Sequence, residues 1–304
     1  MSEAMATRFR DRSTGQIVEE KVFGAKALQM LYGSRTGGFL SRQVFSRSLP
    51  SSIYGWLQRR SSSRAKIPGF VRSLGIDAGE AEKPLDQYQS LDDFFIRRLK
   101  PEARPIDMHP IHLVSPADGR VLVYPRLEGQ VLKVKGTEVS LAEMIGDEGR
   151  AQAYQGGSAI VVRLAPADYH RFHFPDEGIA SPSVAIAGRL HSVHPIALES
   201  GAPSLRNKRA ISTLDSKNFG RLVIVEVGAL CVGTILQTYS PGFVRRGQEK
   251  GYFRFGGSTV VVFAEKGRVC LDEDLISASK EGMETQVRMG TRLGRCGHHQ
   301  EADS

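Results

Sequence analysis

The chain has 304 residues, 40% hydrophobic and 24% charged, with 41 Lys+Arg against 33 Asp+Glu and a formal net charge of +8. Those proportions exclude a collagen-like, disulfide-scaffold or wholly disordered polypeptide, and the length allows one large domain or two smaller ones. Cys231, Cys270 and Cys296 lack metal-ligand spacing, and so sparse and odd a set points to a reducing compartment.

No run approaches the ~18 uninterrupted apolar residues of a spanning helix, and the N-terminus lacks the apolar centre of a signal peptide. The charge is unevenly placed. Residues 1–75 hold 13 Lys+Arg against 4 Asp+Glu, net +9, while the remainder is close to neutral at −1. A basic segment of this kind attracts phosphate, on nucleic acid or on anionic lipid, or is simply a solvated tail.

Residues 1–20 are polar and are expected to fray. Phe23, Ala27 and Leu31, with Leu28 and Tyr32 alongside, have helical spacing. Phe45, Leu49, Ile53, Trp56 and Leu57 continue it, with Pro50 placed to open a second helix rather than to sit inside one. Ile67, Phe70, Val71 and Leu74 form a further stripe, and a basic stretch from Arg59 to Lys66 lies between. Basic residues interleaved with Phe, Trp and Leu fit helices lying in a membrane interface. They fit helices packed on the main domain equally well. Ser90 and Asp93 have capping-box spacing, which predicts a helix through Leu99 that Pro101 and Pro105 end.

After residue 110 short β-branched runs alternate with Gly and Pro. Val121–Tyr124, Val131–Val134, Ile160–Leu164, Leu222–Val227, Val232–Leu236 and Thr259–Phe263 read as strands, interrupted by one helix over Ser140–Ile145. Residues 272–304 lose apolar content and are expected to be a disordered tail. The expected fold class is α+β: a basic helical N-terminal region over 1–110, a β-rich domain of short strands over 111–271, and the polar tail.

Three clusters could carry chemistry. His170 and His173 are three apart, and His191 and His194 repeat that spacing, which invites a zinc reading. Neither pair has the helix-borne H-E-x-x-H pattern, however, and no metal is expected. Ser115-Pro116-Ala117-Asp118-Gly119 reads on its own as a turn into a strand. Phe255-Gly256-Gly257-Ser258-Thr259 places two glycines and a serine at the mouth of an apolar strand. It is neither a phosphate loop nor a nucleophile elbow. Serine can instead attack the carbonyl of its own preceding residue, and Gly257 leaves that carbonyl uncrowded. Such a step needs a base, the logic of a histidine backed by a carboxylate.

Asp118 in Ser-Pro-Ala-Asp-Gly, Tyr169-His170-Arg171-Phe172-His173, and Gly247-Gln248-Glu249-Lys250-Gly251-Tyr252-Phe253 leading into Phe255-Gly256-Gly257-Ser258-Thr259 occur in the order seen in phosphatidylserine decarboxylases. Phe94-Phe95-Ile96-Arg97-Arg98-Leu99, Arg104-Pro105-Ile106 and Val227 to Gly233 also resemble that family, and the likeness runs from about Leu31 to about Glu265. Asn207-Lys208-Arg209 departs from it, since the family usually has Glu between Asn and Arg.

The resemblance implies self-cleavage between Gly257 and Ser258. Asp118, His173 and Ser258 would form the processing triad, with Asp118 orienting His173 and His173 taking the Ser258 proton. Ser258 would become a pyruvoyl group that forms a Schiff base with the substrate amine and accepts the electron pair released with carbon dioxide. His170 would protonate the resulting carbanion. The two chains of the cleaved proenzyme would stay associated, and a homodimer is left open. The implied substrate is phosphatidylserine, met by a peripheral protein at the cytoplasmic face of the cell membrane, with no nucleic-acid partner. Two alternatives keep the likeness: a pyruvoyl-dependent decarboxylase of a soluble amino acid, and a non-catalytic lipid-binding relative. A zinc hydrolase using the paired histidines is the alternative outside it.

Overall fold

The computed structural model describes residues 7–20, 55–134, 137–192, 194, 203–229, 234–256 and 258–297. The expected helical stripes from Phe23 to Ile53, Gly257, Cys231 and the last seven residues lie outside them.

The chain opens with a hairpin, β1 (Arg8–Asp11) and β2 (Ile17–Glu19), and after a short helical segment over 55–59 it forms α1 (Ile67–Leu74) and α2 (Leu91–Phe95). Strands β3 (His112–Val114) and β4 (Gly119–Tyr124) are followed by the hairpin β5 (Val131–Val134) and β6 (Thr137–Ser140), then by α3 (Leu141–Ile145) and α4 (Glu148–Gln152). Next come β7 (Ser158–Leu164), β8 (Arg171–His173), β9 (Gly178–Ala180), β10 (Val184–Ile186), β11 (Arg209–Ser216) and β12 (Gly220–Gly228). The chain continues through β13 (Ile235–Gln237), β14 (Gly242–Val244), β15 (Glu249–Phe253), β16 (Ser258–Ala264) and β17 (Val269–Leu271), then α5 (Glu273–Lys280), β18 (Glu284–Val287) and β19 (Arg292–Cys296). This is the β-rich α+β class the sequence predicts.

Among the described residues eleven strands form one sheet in the order β14-β9-β11-β12-β16-β7-β4-β18-β1-β2, with β10 pairing beside β11. Both faces are covered. Val260 and Val262 of β16 pack into one apolar cluster with Val162 and Phe172, while Val261 and Phe263 pack into another with Val161 and Val225. A strand buried on both faces needs no polar alternation, which is why Val260–Ala264 is apolar throughout. By the period of two, the Ser258 side chain leaves β16 on the Val260 face.

Two expectations are overturned. Residues 1–20 are not wholly frayed: Phe9 is buried, β1 pairs in parallel with β18, and β2 completes the sheet. Residues 272–297 are not a disordered tail, since α5, β18 and β19 bury Leu275, Val287 and Leu293. Both segments evade pattern reading for one reason: strands of three to five residues are too short for a periodicity, and several of their buried side chains are charged. Glu20 lies between Arg120 and Arg163, at 3.2 and 3.0 Å, and Arg163 also pairs with Glu284 at 2.7 Å. Polar residues at the chain ends therefore join the interior of the sheet.

The helix predicted through Leu99 is shorter. Ser90 Oγ accepts the Asp93 amide at 3.1 Å as a cap, but α2 ends at Phe95. Beyond it the chain turns extended. The Glu82 amide donates to Arg98 O and the Lys100 amide to Glu80 O, both at 2.9 Å, a pairing incompatible with helix. The stripe of α1 turns inward: Ile67, Phe70 and Leu74 pack with Tyr88, Leu91, Phe94, Phe95 and Phe255. Trp56 and Leu57 remain exposed.

Candidate active site

Three adjacent strands bring the sequence motifs to one end of the sheet. Ser258 begins β16 and pairs with Leu164, the last residue of β7. Asp118 immediately precedes β4, whose Arg120 pairs with Arg163 of β7. Gly119 is required there, because a Cβ on it would lie 2.5 Å from the Arg163 carbonyl oxygen. The His173 amide then donates to Pro116 O at 2.7 Å, seating β8 against the Asp118 turn. The Phe253 amide donates to His170 O at 2.9 Å, so the segment leading to Ser258 starts beside that histidine. Gly256 adopts φ 134°, a conformation that favours glycine.

The four side chains are buried. Ser258 Oγ, His173 Nδ1 and His170 Nε2 have no hydrogen-bond partner among the described residues. His170 Nδ1 lies 2.9 Å from Asp168 O, which can only accept, so Nδ1 donates there, and the Gly256 backbone adjoins the same ring. Burial lowers the His170 pKa to about 3, and the nearby Arg97 charge adds to that. Burial lowers that of His173 to about 4, against the opposing charges of Glu249 and Asp118. Both imidazoles are therefore neutral near pH 7, the state a proton acceptor requires.

Asp118 does not hydrogen-bond His173. Arg104 Nε donates to its two carboxylate oxygens at 2.8 and 3.0 Å, Arg104 Nη2 to Oδ2 at 2.6 Å, and the Met289 amide to Oδ1 at 2.8 Å. A guanidinium fork outcompetes a neutral imidazole for a carboxylate. The orienting contact implied by the resemblance is replaced by charge alone, which favours the protonated His173 ring.

A model of the phosphatidylserine decarboxylase family matches residues 91–295. The chain belongs to the phosphatidylserine decarboxylase family. It is 42% identical over 287 residues to a phosphatidylserine decarboxylase proenzyme of Clostridium perfringens, covering 93% of this chain and 98% of that one. It is 43% identical to those of Chlamydia felis, over 95% and 97% of the two chains, and Desulfitobacterium hafniense, over 94% and 97%.

In this phosphatidylserine decarboxylase-family chain several neighbours of the site carried no role in the sequence reading. Phe95 packs on His170 with ring centroids 3.9 Å apart and planes tilted by 36°, and Phe255 lies 4.7 Å from Phe95, so the helical segment covers His170. Asp92 on α2 accepts the Phe255 amide at 3.3 Å and pairs with Arg254 at 3.6 Å, tying that segment to the strand before Ser258. Asn207, in the motif that departs from the family, donates to His191 O and to Gly228 O, both at 2.8 Å, and Gly228 is the strand partner of Ser258. Lys208, where the family usually has Glu, is exposed. His191 and His194 are held by other contacts than His170 and His173: the His191 amide donates to Asn207, and His194 lies 3.8 Å from Glu20. The signals for Phe95, Arg97 and Arg104 were present as motif matches, but nothing in a linear sequence says which face of a helix or turn meets a distant strand.

Proposed function

We propose that this chain is a self-processing decarboxylase that converts phosphatidylserine to phosphatidylethanolamine and carbon dioxide. The observation carrying this reading is a buried serine hydroxyl without a partner among the described residues, at the head of a core strand whose preceding segment pairs with His170, in a fold that also buries His173 as a neutral ring. That arrangement occurs in a chain alike over nearly its whole length to phosphatidylserine decarboxylase proenzymes. In maturation, Ser258 Oγ attacks the Gly257 carbonyl carbon and gives its proton to His173. The peptide C–N bond breaks as that proton reaches the departing nitrogen, leaving an ester. Loss of the Ser258 Cα proton expels the Gly257 carboxylate, and water then replaces nitrogen to leave a pyruvoyl group and ammonia.

The residues present suit that group. It would head β16 in a water-poor setting, after Gly256, whose backbone adjoins the His170 ring. When formed, it supplies a carbonyl for the substrate amine and a sink for the electrons released with carbon dioxide. His170 is the group assigned to pass a proton to the carbon that carbon dioxide leaves; replacing the carboxylate by hydrogen consumes one proton overall, and that proton is drawn from solvent. The exposed basic face of residues 55–74, with Trp56 and Leu57, suits a peripheral contact with the anionic cytoplasmic face of the membrane. Among the described residues no helix is long and apolar enough to cross one.

Intact-mass spectrometry of purified protein tests the reading. Two chains split after Gly257, the smaller blocked by a pyruvoyl group, together with carbon dioxide release from phosphatidylserine, are expected. Ser258→Ala and His173→Ala should remain a single chain. His170→Ala should be cut yet decarboxylate ~10²–10⁴-fold more slowly, the range for losing proton transfer. Release from a free amino acid instead of the lipid would favour the soluble-substrate alternative.

A further inference from the structure

Arg97 is 5% exposed, and its Nη2 donates only to backbone carbonyls, Ala167 O at 3.1 Å and Asp168 O at 3.3 Å. Its Nε and Nη1 have no hydrogen-bond partner among the described residues. The other buried arginines differ. Arg120, Arg163, Arg171 and Arg246 are each held by a carboxylate, and Arg209 by three backbone carbonyls. Asp118 and Asp168 act on the Arg97 charge without a hydrogen bond to it, and a buried guanidinium with two nitrogens unpaired remains costly unless an anion completes it.

Its location says which anion. Asp168 O accepts from both Arg97 Nη2 and His170 Nδ1, so the cation and the proton carrier meet on one oxygen. Arg97 also lies over the Phe94 ring at 4.9 Å, within the helical segment that contributes Phe95 to His170. The serine headgroup carries two anions near its amine, a carboxylate and a phosphodiester. A carboxylate held by a guanidinium would be stabilised in the ground state against loss of its charge as carbon dioxide, which works against the reaction. A phosphodiester keeps its charge throughout, and a planar fork suits it.

Resting on the decarboxylase reading above, we infer that Arg97 is the residue that binds the substrate phosphodiester beside His170. It thereby selects a phospholipid headgroup over a free amino acid.

The test uses the mature, cleaved enzyme with short-chain phosphatidylserine as substrate and short-chain phosphatidylethanolamine as inhibitor. The inhibitor has the phosphodiester and amine but no carboxylate. Arg97→Gln should still be cut after Gly257 and keep kcat within about threefold, while the substrate KM and the inhibitor Ki both rise about 10–100-fold, as for losing a charged hydrogen-bond pair. Arg97→Lys should recover part of both and decides the matter if the Gln variant fails to fold. Unchanged KM and Ki in a cleaved variant would overturn the inference. So would a raised KM with unchanged Ki, which assigns Arg97 to the carboxylate, or a folded Arg97→Lys that stays uncut, which assigns it to maturation. A wild-type chain that is uncut or inactive on phosphatidylserine would instead refute the underlying reading.

Discussion

Asp118 illustrates how one carboxylate is held by more than its expected partner. Arg104 grips both its oxygens and also reaches Glu80 at 3.0 Å, which keeps the arginine charged. Replacing Arg104 by Gln leaves Asp118 buried without its cation. Breaking such a pair from one side costs about 3–5 kcal/mol. Urea unfolding should register that loss, and a gel should show slower conversion to two chains; full stability in the variant would contradict the clamp. The histidines add a pH signature. With a pKa of about 4, His173 keeps its lone pair at neutral pH and loses it only as pH falls through that value. Self-cleavage should accordingly stay flat from pH 8 down to about 5, halve near pH 4 and fall roughly tenfold per unit beneath that. A decline centred near the ordinary histidine value would mean that burial does not hold the ring neutral.

Elements that read as peripheral turn out to hold the sheet together. The hairpin of β1 and β2 ends at Glu20, whose carboxylate bridges Arg120 and Arg163 on two neighbouring strands. Opposing arginine charges hold that carboxylate ionised despite its burial. Glu20→Gln should therefore destabilise the protein by about 3–5 kcal/mol, although the residue lies in a segment that composition alone would discard. A change below 1 kcal/mol in denaturant unfolding would show the bridge to be dispensable. The same logic applies to α1. Phe70 is buried among Phe94 and Phe255, so Phe70→Ala should cost about 3–5 kcal/mol. It should also loosen the strand before Ser258, which slowed cleavage would report.

At the scale of the molecule, the basic first quarter is not a detachable membrane arm. Deleting residues 1–75 would strip two strands and α1 from the fold, so loss of vesicle binding by that truncation would say little. Substituting exposed charges asks the question cleanly. Arg59, Arg60, Lys66 and Arg72 are all exposed, and Arg60 lies 3.7 Å over the exposed Trp56 ring. Changing the four to Gln should weaken binding to phosphatidylserine vesicles on the order of 10²–10³-fold at low salt, at about 1 kcal/mol per charge. Wild-type binding should itself fall as salt shortens the screening length toward ~10 Å at 0.1 M. Vesicle flotation across a salt series measures both, and equal binding by the folded variant would remove this face as the contact.

The sequence by itself determined the β-rich class, the four central strands β12, β16, β7 and β4 of the main sheet, the caps at Ser90 and Ser140, and the order of motifs that marks the family. These are local or linear properties. Val260–Ala264 is apolar because both its faces are covered, and Ser140 Oγ caps α3 by accepting the Glu143 amide at 3.0 Å, three residues on. Tertiary structure alone decided what depends on contacts between distant residues. It placed Arg104 rather than His173 on Asp118, turned the stripe of α1 inward instead of toward lipid, and drew residues 8–20 and 273–296 into the sheets. It left Arg97 buried beside His170 with two nitrogens unpaired. A hydrophobic period reports how one element meets an apolar surface, but pairing among buried charges has no period, because partners such as Glu20 and Arg163 stand 143 residues apart.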